Sequence, residues 1–302
     1  MVVLSLFDGI SCGRLVLHNL GIKIDKYYSF EIDKNAIQIS RNNCKDIKQC
    51  GDVNFHKWHK LPKIDLLIAG SPCQGFSTLG KGENFKHKES NLFFKFVECL
   101  EYYKPKYFLL ENVRMKKEWK DKITSYVGVA PLQLNSKDFS AQNRIREYWA
   151  NFKINSVKKQ SKQIIFDILD DQKDWGKIQG IFTIFENKRK YINSAYLSRQ
   201  RILFTNSAKP MFLGKANFKL GRFLDSTGIM SILHKSYAIT KDVRKRIALD
   251  SKHYRFLTCT ELERLQGLPA NYTSCVPTTQ RCVTIGNGWN ISTVEHILKI
   301  LQ

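Results

Sequence analysis

Three runs of aliphatic and aromatic residues, VVLSLF, IDLLIAG and YFLLE, are five to seven residues long and show no polar alternation. A strand with one wet face alternates apolar with polar, so runs of this kind fit strands buried on both faces. Between them lie helical patterns: RLVLHNLG, then DKNAIQISRNN with Asp33 as its N-cap candidate, then NLFFKFVECLEYY, which stops near Pro105. YYSFE reads as a further strand. The alternation predicts an α/β fold with a parallel, doubly wound sheet, whose functional groups gather at the carboxyl ends of the strands.

This rhythm ends after REYWANF. Residues 153–252 are basic, irregular and interleaved with aromatics, and are expected to form a separate, smaller domain of short strands and loops. Helical patterns return at TCTELERLQG, where Thr258 or Thr260 would cap, and at STVEHILKIL. The net charge is +22, and residues 151–256 hold 22 Lys/Arg against 8 Asp/Glu, so about a third of the chain carries more than half of the excess. A polyanionic partner explains that asymmetry. The plainer alternative is lysine decorating solvated faces.

Eight cysteines never form CxxC and show no zinc-ligand spacing, so no metal is expected and the thiols fit a reduced, cytoplasmic setting. No signal peptide or membrane-length apolar run is visible.

Four strand-end features carry chemistry. GSPCQGFS places Cys73 after Pro72 at the mouth of a strand, where a thiol has exposure and a fixed orientation. Most cysteines are core residues, so the motif needs company. Glu111 in LLENV ends another apolar run, where an apolar wall would favour its protonated form. A cysteine with a proton-donating glutamate is the pair that adds a nucleophile across the C5=C6 bond of a pyrimidine. LFDGISCG follows the first strand and is not GxGxxG, Glu31 ends the second strand, and Asp52 in CGDV follows the third. That trio suits adenosine without phosphates: a tight turn, a carboxylate for ribose, and a carboxylate for the adenine amine. In QNRIR, a single strand would align Gln142, Arg144 and Arg146 on one face for phosphate or base edges.

In this order, SLFDGISCG, FE, GD, GSPCQGFS, ENV, QNRIR, LTCTELERLQGLP and IGNGWN resemble the cytosine-C5 DNA methyltransferases over nearly the whole chain. The resemblance implies an S-adenosylmethionine-dependent, Rossmann-like methyltransferase sheet with an inserted target recognition domain. The core would span 1–152 and the recognition domain 153–252, while 253–302 would return to the core. Cys73 would attack C6 of cytosine and Glu111 would hold and protonate N3, with Arg144 and Arg146 on the flipped base or its phosphate. Phe7 would lie on adenine, Glu31 on ribose and Asp52 on the adenine amine. Gly9 and Gly13 would shape the turn. Asp8, Ile32, Val53, Ser71, Pro72, Asn287 and Trp289 would complete the cofactor site, which would release S-adenosylhomocysteine.

The turn and Trp289 depart from the commonest family pattern and are similar to the mammalian de novo enzymes, whereas the compact length suits a bacterial or phage enzyme. Duplex DNA is the expected partner of a monomer, with a cognate restriction endonuclease as a candidate second partner. The stretch STLGKGENFKHKES is expected to act as a lid. Two rivals stand beside this reading. One is tRNA methylation, disfavoured because only LFT at 203–205 matches that branch's Cys-Phe-Thr signature; the other is a silent DNA-binding scaffold, which would need neither Cys73 nor Glu111.

Overall fold

The structure, a computed structural model, describes residues 1–54, 58–71, 92–157, 160–170 and 253–302, together with short strands between 176 and 248. Pro72, Cys73 and the lid stretch 77–90 lie outside the described residues. The chain forms two compact units, one of residues 1–135, 145–157 and 288–302, the other of 136–144 and 158–287.

The first unit begins with β1 (Val2–Leu6), α1 (Cys12–Asn19), β2 (Lys26–Phe30), α2 (Lys34–Asn43) and β3 (Ile47–Gln49). It continues with β4 (Leu66–Gly70), α3 (Phe93–Tyr103), β5 (Tyr107–Val113), α4 (Lys117–Val127) and β6 (Leu132–Asn135). The chain then passes through β7 (Gln142–Asn143), which belongs to the second unit, and re-enters the first as β8 (Ile145–Ala150). Among the described residues these strands make a seven-stranded sheet in the order β3-β2-β1-β4-β5-β8-β6. Its first five strands are parallel, while β8 runs antiparallel to both β5 and β6.

Both faces of the sheet are covered, which is why its central strands read as unbroken apolar runs. On one face Leu4, Leu6, Phe30, Leu67, Phe108, Leu110 and Trp149 join Phe93 and Phe96 of α3 and Trp119 and Ile123 of α4 in a single core. On the other, Gly13 of α1 sits directly against the side chains of Ile68 and Tyr27. Asp33 caps α2 by accepting the backbone N–H groups of Asn35 and Ala36, as its position predicts.

In the second unit the described strands are β9 (Gly176–Lys177), β10 (Phe212–Lys215), β11 (Gly228–Ser231), β12 (Ser236–Tyr237), β13 (Arg246–Ala248) and β14 (His253–Phe256). All but β12 form a five-stranded sheet, and β12 pairs with β7. The helices α5 (Cys259–Gln266) and α6 (Thr278–Asn287) follow. Of the two expected caps Thr258 is the one used, in a reciprocal box with Glu261. Buried Glu263 accepts from Thr273, from the Asn271 backbone and from Arg281, and so folds the segment after α5 back on the helix. The final helix, α7 (Ile291–Leu298), belongs to the first unit and packs against α1.

The boundaries therefore differ from the three-part division expected from sequence. Residues 136–144 and 253–287 cluster with the basic unit, 153–157 stay with the sheet, and 288–302 alone return to it. Composition marked where the basic segment begins; the buried Glu263–Arg281 ion pair that ties the segment after α5 back to it has no compositional trace.

Candidate active site

Strand order reverses direction between β1 and β4, because β2 and β3 extend on one side of β1 while β4 and β5 extend on the other. At such a switch point the loops leaving the carboxyl ends diverge and leave a crevice. The β1 loop (Phe7 onward), the end of β2 (Glu31), the end of β4 (Gly70, Ser71) and the end of β5 (Glu111) all lie on this edge.

The turn after β1 is held from within. Asp8 accepts the hydroxyls of Ser5 (2.6 Å), Ser11 (2.6 Å) and Tyr27 (2.8 Å), and Ser11 meets Ser40 of α2 at 2.6 Å. Burial raises the Asp8 carboxyl above its ordinary range, opposed by these hydroxyl bonds. Three residues of the loop take left-handed backbone, Phe7 (φ 56°), Gly9 (φ 58°) and Ser11 (φ 61°). Only the glycine adopts that conformation freely, and a Cβ there would meet nothing within 4 Å, so open space lies beside it.

Glu31 reaches into the same turn. Its carboxylate accepts the backbone N–H of Gly9 at 2.7 Å, Ile32 at 2.8 Å and Asp33 at 2.9 Å. Burial pushes this acid upward as well, with the three backbone bonds pulling it down. The next residue, Ile32, is 69% exposed, an uncovered aliphatic surface beside an anchored carboxylate. Half-buried Asp52 accepts from the backbone and side chain of Asn54 through one oxygen, and Val53 is buried in the core. An open glycine turn, an exposed aliphatic side chain and two strand-end carboxylates fit an adenosine-bearing cofactor.

Across the switch point, Glu111 is 8% exposed. β5 and β8 pair with Glu111 opposite Tyr148 and Val113 opposite Arg146, so Glu111 and Arg146 are diagonal neighbours on one face. The Arg146 Nε lies 2.9 Å from Glu111 Oε1, and its Nη1 donates to the Ile145 carbonyl. The other carboxylate oxygen, Oε2, accepts the Trp289 indole N–H at 3.2 Å. The apolar wall expected around Glu111 is thus replaced by a guanidinium and an indole donor. Beside it, Asn112 donates to buried Ser71 at 2.8 Å, tying β5 to the first residue of the SPCQ loop.

The expected row of Gln142, Arg144 and Arg146 is not one strand face. β7 ends at Asn143 and pairs in parallel with β12, whereas β8 starts at Ile145 and joins the large sheet. Arg144, at the break, is buried and donates to the Gly286 carbonyl at 3.2 Å, within the second unit. Gln142 is wholly buried. Asn287 is the last residue of α6, also in the second unit. Trp289 was expected only at the cofactor. The sequence marked the residue as unusual, a large indole where a small side chain is common, but not its contact with Glu111, for which Gly70 makes room.

The profile of the family described as C-5 cytosine-specific DNA methylase matches residues 1–302. The chain belongs to this family. Among its fellow members, M1.ScrFI, a type II methyltransferase of Lactococcus lactis subsp. cremoris, is 28% identical over 315 residues, covering 99% of this chain and 78% of that enzyme. The orphan methyltransferase M.Rho11sI of Bacillus phage rho11s is 39% identical over 114 residues; the match spans 37% of this chain and 23% of the phage enzyme's length. A solved structure of a candidate DNA modification methyltransferase from an E. coli prophage superposes with a TM-score of 0.67 over 100% of this chain and 98% of that one, at 20% identity. That likeness is one of fold, and it agrees with the doubly wound sheet of this chain.

Proposed function

We propose that the chain transfers a methyl group from S-adenosylmethionine to C5 of cytosine in duplex DNA. The observation that carries the reading is Glu111: a nearly buried carboxylate, held at both oxygens, one strand away from the β4 end where SPCQ begins. Phe7, Gly9, Glu31, Ile32 and Asp52 would hold the cofactor, with Asp8 and Gly13 shaping the turn and Val53, Ser71, Pro72, Asn287 and Trp289 around it. Bound there, it supplies an electrophilic methyl group on a sulfonium.

The rest is done by side chains of this chain. C5 is inaccessible in a base pair, so the cytosine leaves the stack, at a cost of a few kcal/mol that contacts from the basic unit offset. The Cys73 thiolate adds to C6, and Glu111, having taken up a proton from solvent as the base enters and one of its donors yields, passes that proton to N3 as the ring gains negative charge. The electron pair then lies on C5, which takes the methyl group. Transfer of the C5 proton to water and return of the N3 proton to Glu111 restore the C5=C6 double bond and expel Cys73 as its thiolate. Arg146 fixes the Glu111 carboxylate through Oε1, and Arg144 holds the Gly286 carbonyl within the second unit.

Tritiated S-adenosylmethionine, offered with duplex DNA and with total tRNA in parallel, tests the reading. Label is expected in DNA, and a 5-fluorocytosine duplex should form a stable adduct with the wild-type chain and none with Cys73→Ser. Label confined to tRNA, or no transfer by a chain that still binds DNA, would overturn it in favour of one of the rivals.

A further inference from the structure

Trp289 touches both halves of the crevice. Its Nε1 donates to Glu111 Oε2, and the opposite edge of its ring lies against Gly13, the second residue of α1. A missing side chain at Gly70 makes the first contact possible, and one at Gly13 lets α1 lie close by. A Cβ on Gly70 would stand 2.8 Å from the indole Nε1 and 3.4 Å from Glu111 Oε2. One on Gly13 would stand 2.4 Å from Ile68 Cδ1 and 3.1 Å from the Tyr27 hydroxyl, which itself donates to Asp8 at 2.8 Å, and would reach ordinary contact, 3.6 Å, with the ring's Cζ3.

The indole is therefore a rigid plank. It runs from the Asp8-braced turn, past the end of β4, to the carboxylate at the end of β5. Its own place is fixed from behind, because Asn290 caps α7 by accepting the Thr293 N–H, and α7 is packed on α1. The ring thus lies beside α1, which follows the turn, and holds the Glu111 oxygen that Arg146 does not.

We propose that Trp289 is a positioning residue that couples occupancy of the β1 turn to the orientation of Glu111. This goes beyond a wall for the cofactor: it assigns the N–H, rather than the ring surface, a part in the methyl-transfer step. It rests on the reading of that turn as the cofactor site.

Two measurements test it. In Trp289→Phe the ring face is retained and the donor lost; kcat for methyl transfer should fall about tenfold, as expected for losing one hydrogen bond to a charged group. KM for DNA and the Kd for S-adenosylhomocysteine should stay within about threefold. Unchanged kcat, or a loss of cofactor affinity that matches the loss of kcat, overturns the proposal, the second outcome reducing Trp289 to a wall. The other measurement needs neither activity nor a Trp289 variant. The assigned indole N–H resonance of Trp289 should move both on Glu111→Gln and on adding S-adenosylhomocysteine to the wild-type chain. If the product binds and the resonance ignores both changes, the coupling is absent. If the product does not bind at all, it is the cofactor reading that fails.

Discussion

Two carboxylates stand at the two ends of the same crevice and are held by opposite means. Glu31 is gripped by three backbone N–H groups, so its orientation belongs to the loop itself and no single side-chain change releases it. Glu111 is gripped by a guanidinium and an indole, each contributed by a different stretch of chain. A group that must hold a constant ligand gains from the first arrangement. A group that has to exchange partners and move a proton gains from the second, because side-chain donors can yield without unfolding a loop.

The sharpest way to break this comparison is to remove each carboxylate in turn. Glu111→Ala should reduce methyl transfer by about 100-fold or more, the scale of a lost general acid, while leaving the Kd for S-adenosylhomocysteine within about threefold. Glu31→Ala should do the reverse: about tenfold or greater loss of cofactor affinity, together with about 1–3 kcal/mol of stability as three N–H groups lose their acceptor. Single-turnover transfer, calorimetric titration and denaturant unfolding give the three readouts. If Glu111→Ala lost cofactor affinity as severely as Glu31→Ala, the two ends would not be separable.

A smaller effect is expected from Gly70→Ala. The added methyl would lie 2.8 Å from the Trp289 Nε1, a rigid ring atom held by its neighbours, so the indole must shift and its bond to Glu111 lengthen. We expect kcat to fall several-fold, by roughly 3- to 10-fold, with about 1–3 kcal/mol lost from stability through overpacking. Kinetics beside a melting curve checks it. A normal kcat with a lowered melting temperature would show that the indole contact is packing alone.

These same residues show what could be read in the sequence and what could not. The sheet was legible, because a strand buried on both faces has to be apolar throughout, and IDLLIAG and YFLLE carry that requirement in their composition. Asp33 and Thr258 were legible as caps because capping is a local bond, made within three residues. Glu31 was legible as a strand end because it follows its apolar run directly; Glu111 also follows one, but β5 runs two residues further, to Val113. The partners of Glu111 were not legible: Arg146 reaches it through an antiparallel register and Trp289 from 178 residues away, and neither separation leaves a pattern that pairs it with Glu111. The QNRIR row failed for a related reason. Alternation along a strand assumes one strand, and the break at Arg144 comes from pairing with two different sheets, a tertiary fact.

The subtlest contrast is between Glu31 and its neighbour Asp8, both raised by burial but satisfied by backbone in one case and by hydroxyls in the other. An acid raised in the folded state binds its proton more tightly there than in the unfolded chain. Its contribution to stability is therefore full below the ordinary value, 3.8 for Asp8, and is lost as pH rises through the raised value. Asp8→Asn keeps a carbonyl acceptor for Ser5 and Tyr27 and removes the titration, while the loss of the Ser11 acceptor is a constant at every pH. Unfolding free energies measured from about pH 4 to pH 7 should thus show the variant gaining on the wild type as pH rises, then holding a constant offset. Glu31, pushed the same way, stays in both chains. The slope of the difference, and not its sign at any one pH, is the diagnostic; a flat difference would mean that the hydroxyls of Ser5, Ser11 and Tyr27 solvate the Asp8 carboxylate as fully as water does.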